Sequence, residues 1–435
     1  MGYGGDVVTG GQPRILEGVK DVEHVGSIFV GLVKAVGDVE RRPRRSTMAT
    51  VTPAEMSRRA LVLSAAGVVA CGRRKAPRFH GYCFVANQAG RSVGIVDLNR
   101  FRLRKQIPLD AAPGVVLAHP GKPKVFVLAP DAGTVYELDA GALSLSRSVR
   151  PGNQAAGMRI SPAEDAVWVL YRDPPALVEL PFDSLRPRRR IRLAAPADDF
   201  DLSRDGHAAM ASRQGRSIVL ASLAGAAIDR TIAASEEPSI VRFHWTGKQV
   251  LAGSRAGRSL TIFDVPTGKV VVRLPLPLAP RHFCFTPDSG GQLFISGEGI
   301  DGVVIVFPYT TEVDQTILAG HAPGAMAVTS KAPSYLLVAN PDSNGVTVLD
   351  VDTRKLVAVV QVGEAPGHIL LTPDEEYALV LDEKSGDLAV IRLLSLTMAP
   401  DGSRRRYRSA PLFTLIPVGE KPVSAAVVDL GADLG

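Results

Sequence analysis

An all-β fold, a propeller of four-stranded blades, follows from three observations on the sequence alone. Period-2 hydrophobic runs separated by turn-rich breaks extend over most of the 435 residues, the pattern of half-buried strands in succession. The pattern repeats about every 42 residues, with equivalent strands starting at Tyr82, Lys124, Ala166, Ala208, Gln249, Gln292, Tyr335 and Tyr377. A repeat of that length is the period of one propeller blade. Finally, the first strand matches the second position of a blade, whereas the last, Pro422 to Asp429, matches the first. The two ends are therefore expected to share a blade and leave no sheet edge open.

Each repeat can be justified in turn. Its leading strand reads YCFVAN, KVFVLA, AVWVLY, AAMAS, QVLAGS, QLFISG, YLLVAN and YALVLD in chain order. A second strand follows each time, from SVGIVDL to DLAVIRL, across turns such as NQAGRS, PDAGT, SRAGRS and PDSNG. Gly and Asn supply the positive-φ positions of tight hairpins. The third repeat carries Asp173-Pro174-Pro175 there instead; proline gives no ladder hydrogen bond, so an irregular hairpin is expected. The fourth element, among them AAGMRISP, DDFDLSR, PSIVRFHW, PRHFCFTP and PGHILLTP, has the small residues and apolar alternation of the crowded strand nearest the axis. Eight blades result, with seven as the rival count because the third and fourth repeats are degenerate. A basic insertion, Ser395 to Ser409, reads as a solvated surface loop.

Charge separates the chain into two parts. The net +6 arises entirely from residues 1–78, which hold 13 Lys and Arg against 7 Asp and Glu; residues 79–435 are balanced. A body without a basic face argues against nucleic acid as a partner. Cys83 and Cys284 lie in strands of distant blades and read as buried free thiols, and the three cysteines offer no disulfide framework or metal spacing.

Cys71 differs. From Met56 the chain reads MSRRALVLSAAGVVACGRRKAP, in which two arginines precede an 11-residue apolar run ending in Ala70-Cys71. The run is long enough for a signal core and too short to span a bilayer as a helix. It resembles the signal and lipobox of bacterial lipoproteins, in which the cysteine is lipidated and becomes the new N-terminus; Ser57-Arg58-Arg59 also resembles a twin-arginine export signal. The resemblance implies export to the cell envelope, on the periplasmic or extracellular side, and attachment to a membrane through lipid on Cys71. Residues 1–55 then read as an upstream stretch reflecting start-site choice, or as disordered; 56–71 as the signal, 72–78 as a linker and 79–430 as the propeller. The competing reading makes Ala60 to Ala70 an ordinary buried helix.

YCFVAN and YLLVAN, each followed by a Gly-containing turn and by V-G-I-V-D or V-T-V-L-D, the second then by G-x-x-P, resemble the YVTN repeats of bacterial YncE-like propellers. That resemblance implies an exported binding or scaffold module. Relatives in the lactonase-like propeller group are enzymes, and fold alone does not decide between the two.

Function is expected on the face where loops entering the inner strands meet the turns between the next two strands, around the channel mouth. That face is expected to carry Asp198, Asp199, Glu236, Glu237, Arg281, His282, His321 and His368, as ligand-binding candidates for an unknown protein or small ligand. In an enzyme, His282 and His368 are the candidate catalytic residues, activating water against a ring ester. No GxSxG, CxxCH or HExxH motif occurs. No cofactor is expected, and the spacing leaves metal binding open.

Overall fold

The computed structural model describes residues 81–287, 290–396 and 411–430; Cys71 and most of the basic insertion lie outside them. Thirty-two strands form eight antiparallel sheets of four. The count is therefore eight, and the third and fourth repeats form blades like the others.

Blade I joins the two ends of the chain. Gly81–Asn87, Ser92–Asp97 and Arg102–Pro108 are completed on the inner side by Pro422–Asp429. The register runs from Gly81 opposite Asp429 to Asn87 opposite Pro422. Blades II to VIII follow in order, each starting with its inner strand: Val115–Ala118, Gln154–Ile160, Asp199–Leu202, Ile240–Phe243, Ala279–Phe285, Met326–Val328 and Pro366–Leu371.

Burial explains the strand sequences. The two middle strands of each blade are covered on both faces by neighbouring blades, so they are almost continuously buried, as in YLLVAN and GVTVLD. Outer strands keep one wet face and alternate, as in Glu312–Leu318. The apolar core is correspondingly divided into eight clusters, one between each neighbouring pair of blades. Seven of the eight outer pairings contain a register shift, which adds twist where the blade fans outward. Blade III has no such shift, and its outer strand is only Arg189–Arg192.

One expectation is met and one needs correction. The Asp173-Pro174-Pro175 hairpin departs from the others as expected: Arg172 pairs with Pro175 across a two-residue turn whose Asp173–Pro174 bond is cis, where the equivalent turns at Asn87–Ser92 and Ser212–Ser217 span four residues. Pro174 sits in the turn and Pro175 opens the strand, where a missing N–H removes no central ladder bond. Cys83 is buried as expected, but Cys284 on the inner strand of blade VI is only half-buried. Burial pushes both thiols up to about 12.

Close packing also fixes some backbone positions. A Cβ on Gly297 would lie 2.0 Å from the carbonyl oxygen of Ala279 and 3.1 Å from the Cα of Pro280, both backbone atoms that cannot swing aside. Gly297→Ala is expected to cost about 2–4 kcal/mol, read as a shift in the urea midpoint at unchanged slope. An unaltered midpoint would show that this strand pair can separate.

Candidate functional site in the central channel

An inner strand is a sheet edge, with backbone N–H groups on its free side that require acceptors. In blades IV and V this requirement places charge in the channel. Asp199 Oδ2 accepts the Val241 N–H at 3.0 Å, and Asp201 Oδ2 accepts the Phe243 N–H at 2.9 Å. Each carboxylate thus caps the neighbouring blade's edge. Ser424 does the same between blades I and II, its hydroxyl oxygen accepting the Val116 N–H at 3.2 Å.

Two arginines complete the cluster. Arg242 Nη1 donates to Asp199 Oδ2 at 2.5 Å, while Arg159 Nε lies 3.8 Å from Asp201 Oδ1. Arg159, Asp201 and Arg242 occupy the same rung of three successive blades, opposite Trp168, Ala209 and Leu251. Asp199, His282 and His368 face a rung two residues nearer the mouth, opposite Ala211, Ser296 and Leu381.

Enclosure changes the titration of these groups. Burial holds the Asp201 carboxyl above its ordinary range despite Arg242 and Arg159. Burial also lowers Arg159, and Arg242 beside it lowers it further. Arg242 is pulled down by burial, but Asp199 and Asp201 outweigh this and raise it. Burial, followed by Arg281, Arg242 and His368, brings His282 down to about 4; burial alone lowers His368. Both imidazoles are therefore neutral at pH 7, and each offers one N–H donor and one nitrogen acceptor.

The remaining candidates are committed to the rim. Asp198 accepts the Arg213 backbone N–H at 2.9 Å and pairs with the Arg213 and Arg172 guanidiniums at 2.8 and 3.3 Å. Burial acts against its ionisation, but the bonds from Arg213 outweigh it and hold the carboxyl low. The Glu236 carboxylate accepts the Ser259 hydroxyl, and Glu237 is exposed. Arg281 pairs with Glu298 at 2.5 Å, an acid it shares with Arg255. His321 pairs with Asp301 at 3.0 Å on the exposed surface, and the Asp301 carboxylate raises it. Of the eight candidates, the structure brings Asp199, His282 and His368 to the channel and leaves the other five on the rim.

Arg159, Asp201 and Arg242 are channel residues that the rim-centred sequence reading did not include. Their signal is a charge at an alternate position within AAGMRISP, DDFDLSR and PSIVRFHW, legible once the three inner strands are aligned by rung. Among the described residues, no group of three or more His, Cys, Asp or Glu is placed to hold a metal ion. A second concavity, a crevice of about 350 Å³ between blades III and IV, includes Trp168, Glu179 and Arg189 in its lining. Its Glu179 is already bonded by Arg188 at 2.6 and 2.9 Å and by Arg189 at 3.4 Å.

No protein-family model matches the chain. Similarity to known proteins supports the propeller architecture. The chain is 25% identical over 144 residues to the seven-bladed beta-propeller protein Rv1057 of Mycobacterium tuberculosis, covering 32% of this chain and 37% of that one. The match thus spans little more than a third of that relative. Among solved structures, dihydro-heme d1 dehydrogenase NirN in complex with DHE superposes with a TM-score of 0.68 at 18% identity, covering 82% of this chain and 78% of that chain. Kuenenia stuttgartiensis hydrazine synthase gives a TM-score of 0.53 at 19% identity over 64% of this chain and 95% of that one. At these identities the likeness is one of fold.

Proposed function

We propose that this chain is an exported, lipid-anchored binding propeller of the YncE-like kind, without a resident cofactor, that takes a protein segment or small ligand at its channel mouth. The observation that carries the reading is the enclosed ring of Asp199, Asp201, Arg159, Arg242, His282 and His368. Withdrawing six polar side chains partly from water around an axis costs stability unless they are satisfied, and a ligand-binding role accounts for their presence. Export and anchoring rest on the segment from Met56 to Cys71.

Two measurements test this reading. The intact mass of protein from a membrane fraction should correspond to a chain beginning at an acylated Cys71; an unmodified chain retaining residues 56–70 would remove the anchor. A Cβ on Gly157 would meet only Phe200, at 3.7 Å, so the backbone there accepts a side chain, and Gly157→Met is the variant chosen to plug the channel, with an unchanged melting temperature without ligand as the check that it folds. Thermal-shift screening against a metabolite panel should identify compounds that stabilise the wild type and lose their effect on the plugged variant. Equal responses from both proteins would rule out the channel.

The lactonase-like alternative rests on His282 and His368, two neutral imidazoles at the mouth. It requires turnover of a lactone panel that is abolished by His282→Ala with His368→Ala. No turnover by the wild type would eliminate it.

A further inference from the structure

Within the ring, one charge stands apart. Arg159 is enclosed and has five N–H donors, yet among the described residues none of them makes a hydrogen bond. Its nearest acid is the 3.8 Å contact with Asp201, and its Nε is shut off from solvent without a partner. The guanidinium is centred 6.0 Å over the Phe200 ring, and 37% of its side chain remains accessible. Arg242, by contrast, is bound to Asp199 and to the Val241 carbonyl, both at 2.5 Å. A half-buried guanidinium whose Nε is shut off unpaired, beside a second arginine, is costly in isolation. An oxyanion would satisfy it.

On the same rung blade VI places the thiol of Cys284, opposite Phe294, and the remaining four positions are apolar. Opposite Phe84, Phe126, Leu337 and Leu379 stand Ala426, Leu117, Ala327 and Leu370, all half-buried. Blades I, II, VII and VIII therefore offer an apolar arc to face the charged arc of blades III to V. The charged arc contains two arginines and two aspartates and is already balanced, so every negative charge on a ligand adds repulsion from Asp199 and Asp201, and a dianionic head adds twice as much as a singly charged one. A singly charged head fits better.

We infer that the channel binds a small amphipathic monocarboxylate, its carboxylate on the free fork of Arg159 and its apolar body against the arc of Leu117, Ala327, Leu370 and Ala426. This deepens the channel-binding reading above and depends on it.

Titration calorimetry on the full chain tests the inference, using octanoate and phenylacetate as probes and octanamide as the uncharged control. Octanoate or phenylacetate should bind, and octanamide should bind at least tenfold more weakly than octanoate. Arg159→Gln should weaken carboxylate binding tenfold or more, and Arg159→Lys, which keeps the charge but loses the fork, should fall between. The melting temperature of Arg159→Gln without ligand should not drop, since the substitution removes a charge repelled by Arg242; it serves as the check that the variant folds. Failure of both carboxylates to bind, equal affinity for octanamide, or an Arg159→Gln affinity within twofold of wild type would overturn the inference. If only neutral or cationic compounds bind and Gly157→Met abolishes that binding, the monocarboxylate inference falls and the channel reading stands. If nothing that binds is sensitive to Gly157→Met, both fall.

Discussion

Replacing Asp382 with Asn should stabilise the protein more the higher the pH. Asp382 is fully buried at the end of the second strand of blade VIII. Its Oδ2 accepts the Gly363 N–H at 2.9 Å, and its Oδ1 has no partner among the described residues. Burial raises this carboxyl from 3.8 to about 7, with Asp387 adding to the rise against the Gly363 bond. The folded state therefore favours the protonated acid. The associated stability is fully present below about pH 4, the unfolded value, and is lost as pH rises through about 7.

Asn87 and Asn340 occupy the same position in blades I and VII, so an amide there is already compatible with the blade. The glycine of the G-x-x-P motif that leads into the inner strand of the same blade packs on this side chain: hypothetical Cβ atoms on Gly419, Gly320 and Gly363 would come within 2.5 to 2.6 Å of Asn87, Asn340 and Asp382 respectively. Asp382→Asn should match the wild type near pH 4 and exceed it by about 4 kcal/mol at pH 8. Urea unfolding at both pH values measures this. A constant difference across the range would show that Asp382 does not titrate in the folded protein.

Deleting residues 422–435 should abolish the native state. The lost strand carries the buried Ala425 and Val428, and it pairs with Gly81–Asn87 over its whole length. Without it, a strand built to be buried becomes an open edge, and two inter-blade clusters lose their closing residues. The expected loss is comparable to the whole stability of a domain, about 5–15 kcal/mol. The deletion should show no cooperative melt and should aggregate. A permuted chain with 411–430 joined ahead of residue 81 should recover the melt. A deletion that still melts cooperatively within a few degrees of the full chain would show that closure is dispensable.

The architecture was legible because period-2 hydrophobicity is local information repeated eight times. YLLVAN and GVTVLDV identify their blade without reference to any other, and the offset between Tyr82 and Pro422 predicts the seam. The channel was less legible because its geometry depends on residues from different blades. His321, one position from the G-x-x-P glycine, reads as pore-facing, but the Asp301 carboxylate within reach holds it on the surface. Arg159 and Arg242 read as ordinary strand polarity until their rungs are aligned. Buried Glu137 and Glu179 present a related case. Each looks like a solvated charge in TVYELD or ALVELP, yet each is buried and neutralised by an outer-strand or adjoining arginine, Arg147 at 2.6 Å and Arg188 at 2.6 Å.

The seam in blade I has a bearing on orientation. Gly81 and Asp429 lie side by side at the end of their strands away from Asn87 and Pro422, which point toward the mouth. Whatever precedes Gly81 or follows Asp429 thus joins the ring from its back. If the anchor at Cys71 proposed above is confirmed, its point of attachment to the ring lies on the face opposite the channel mouth, and a visitor arriving from the aqueous side meets no steric shadow from that junction.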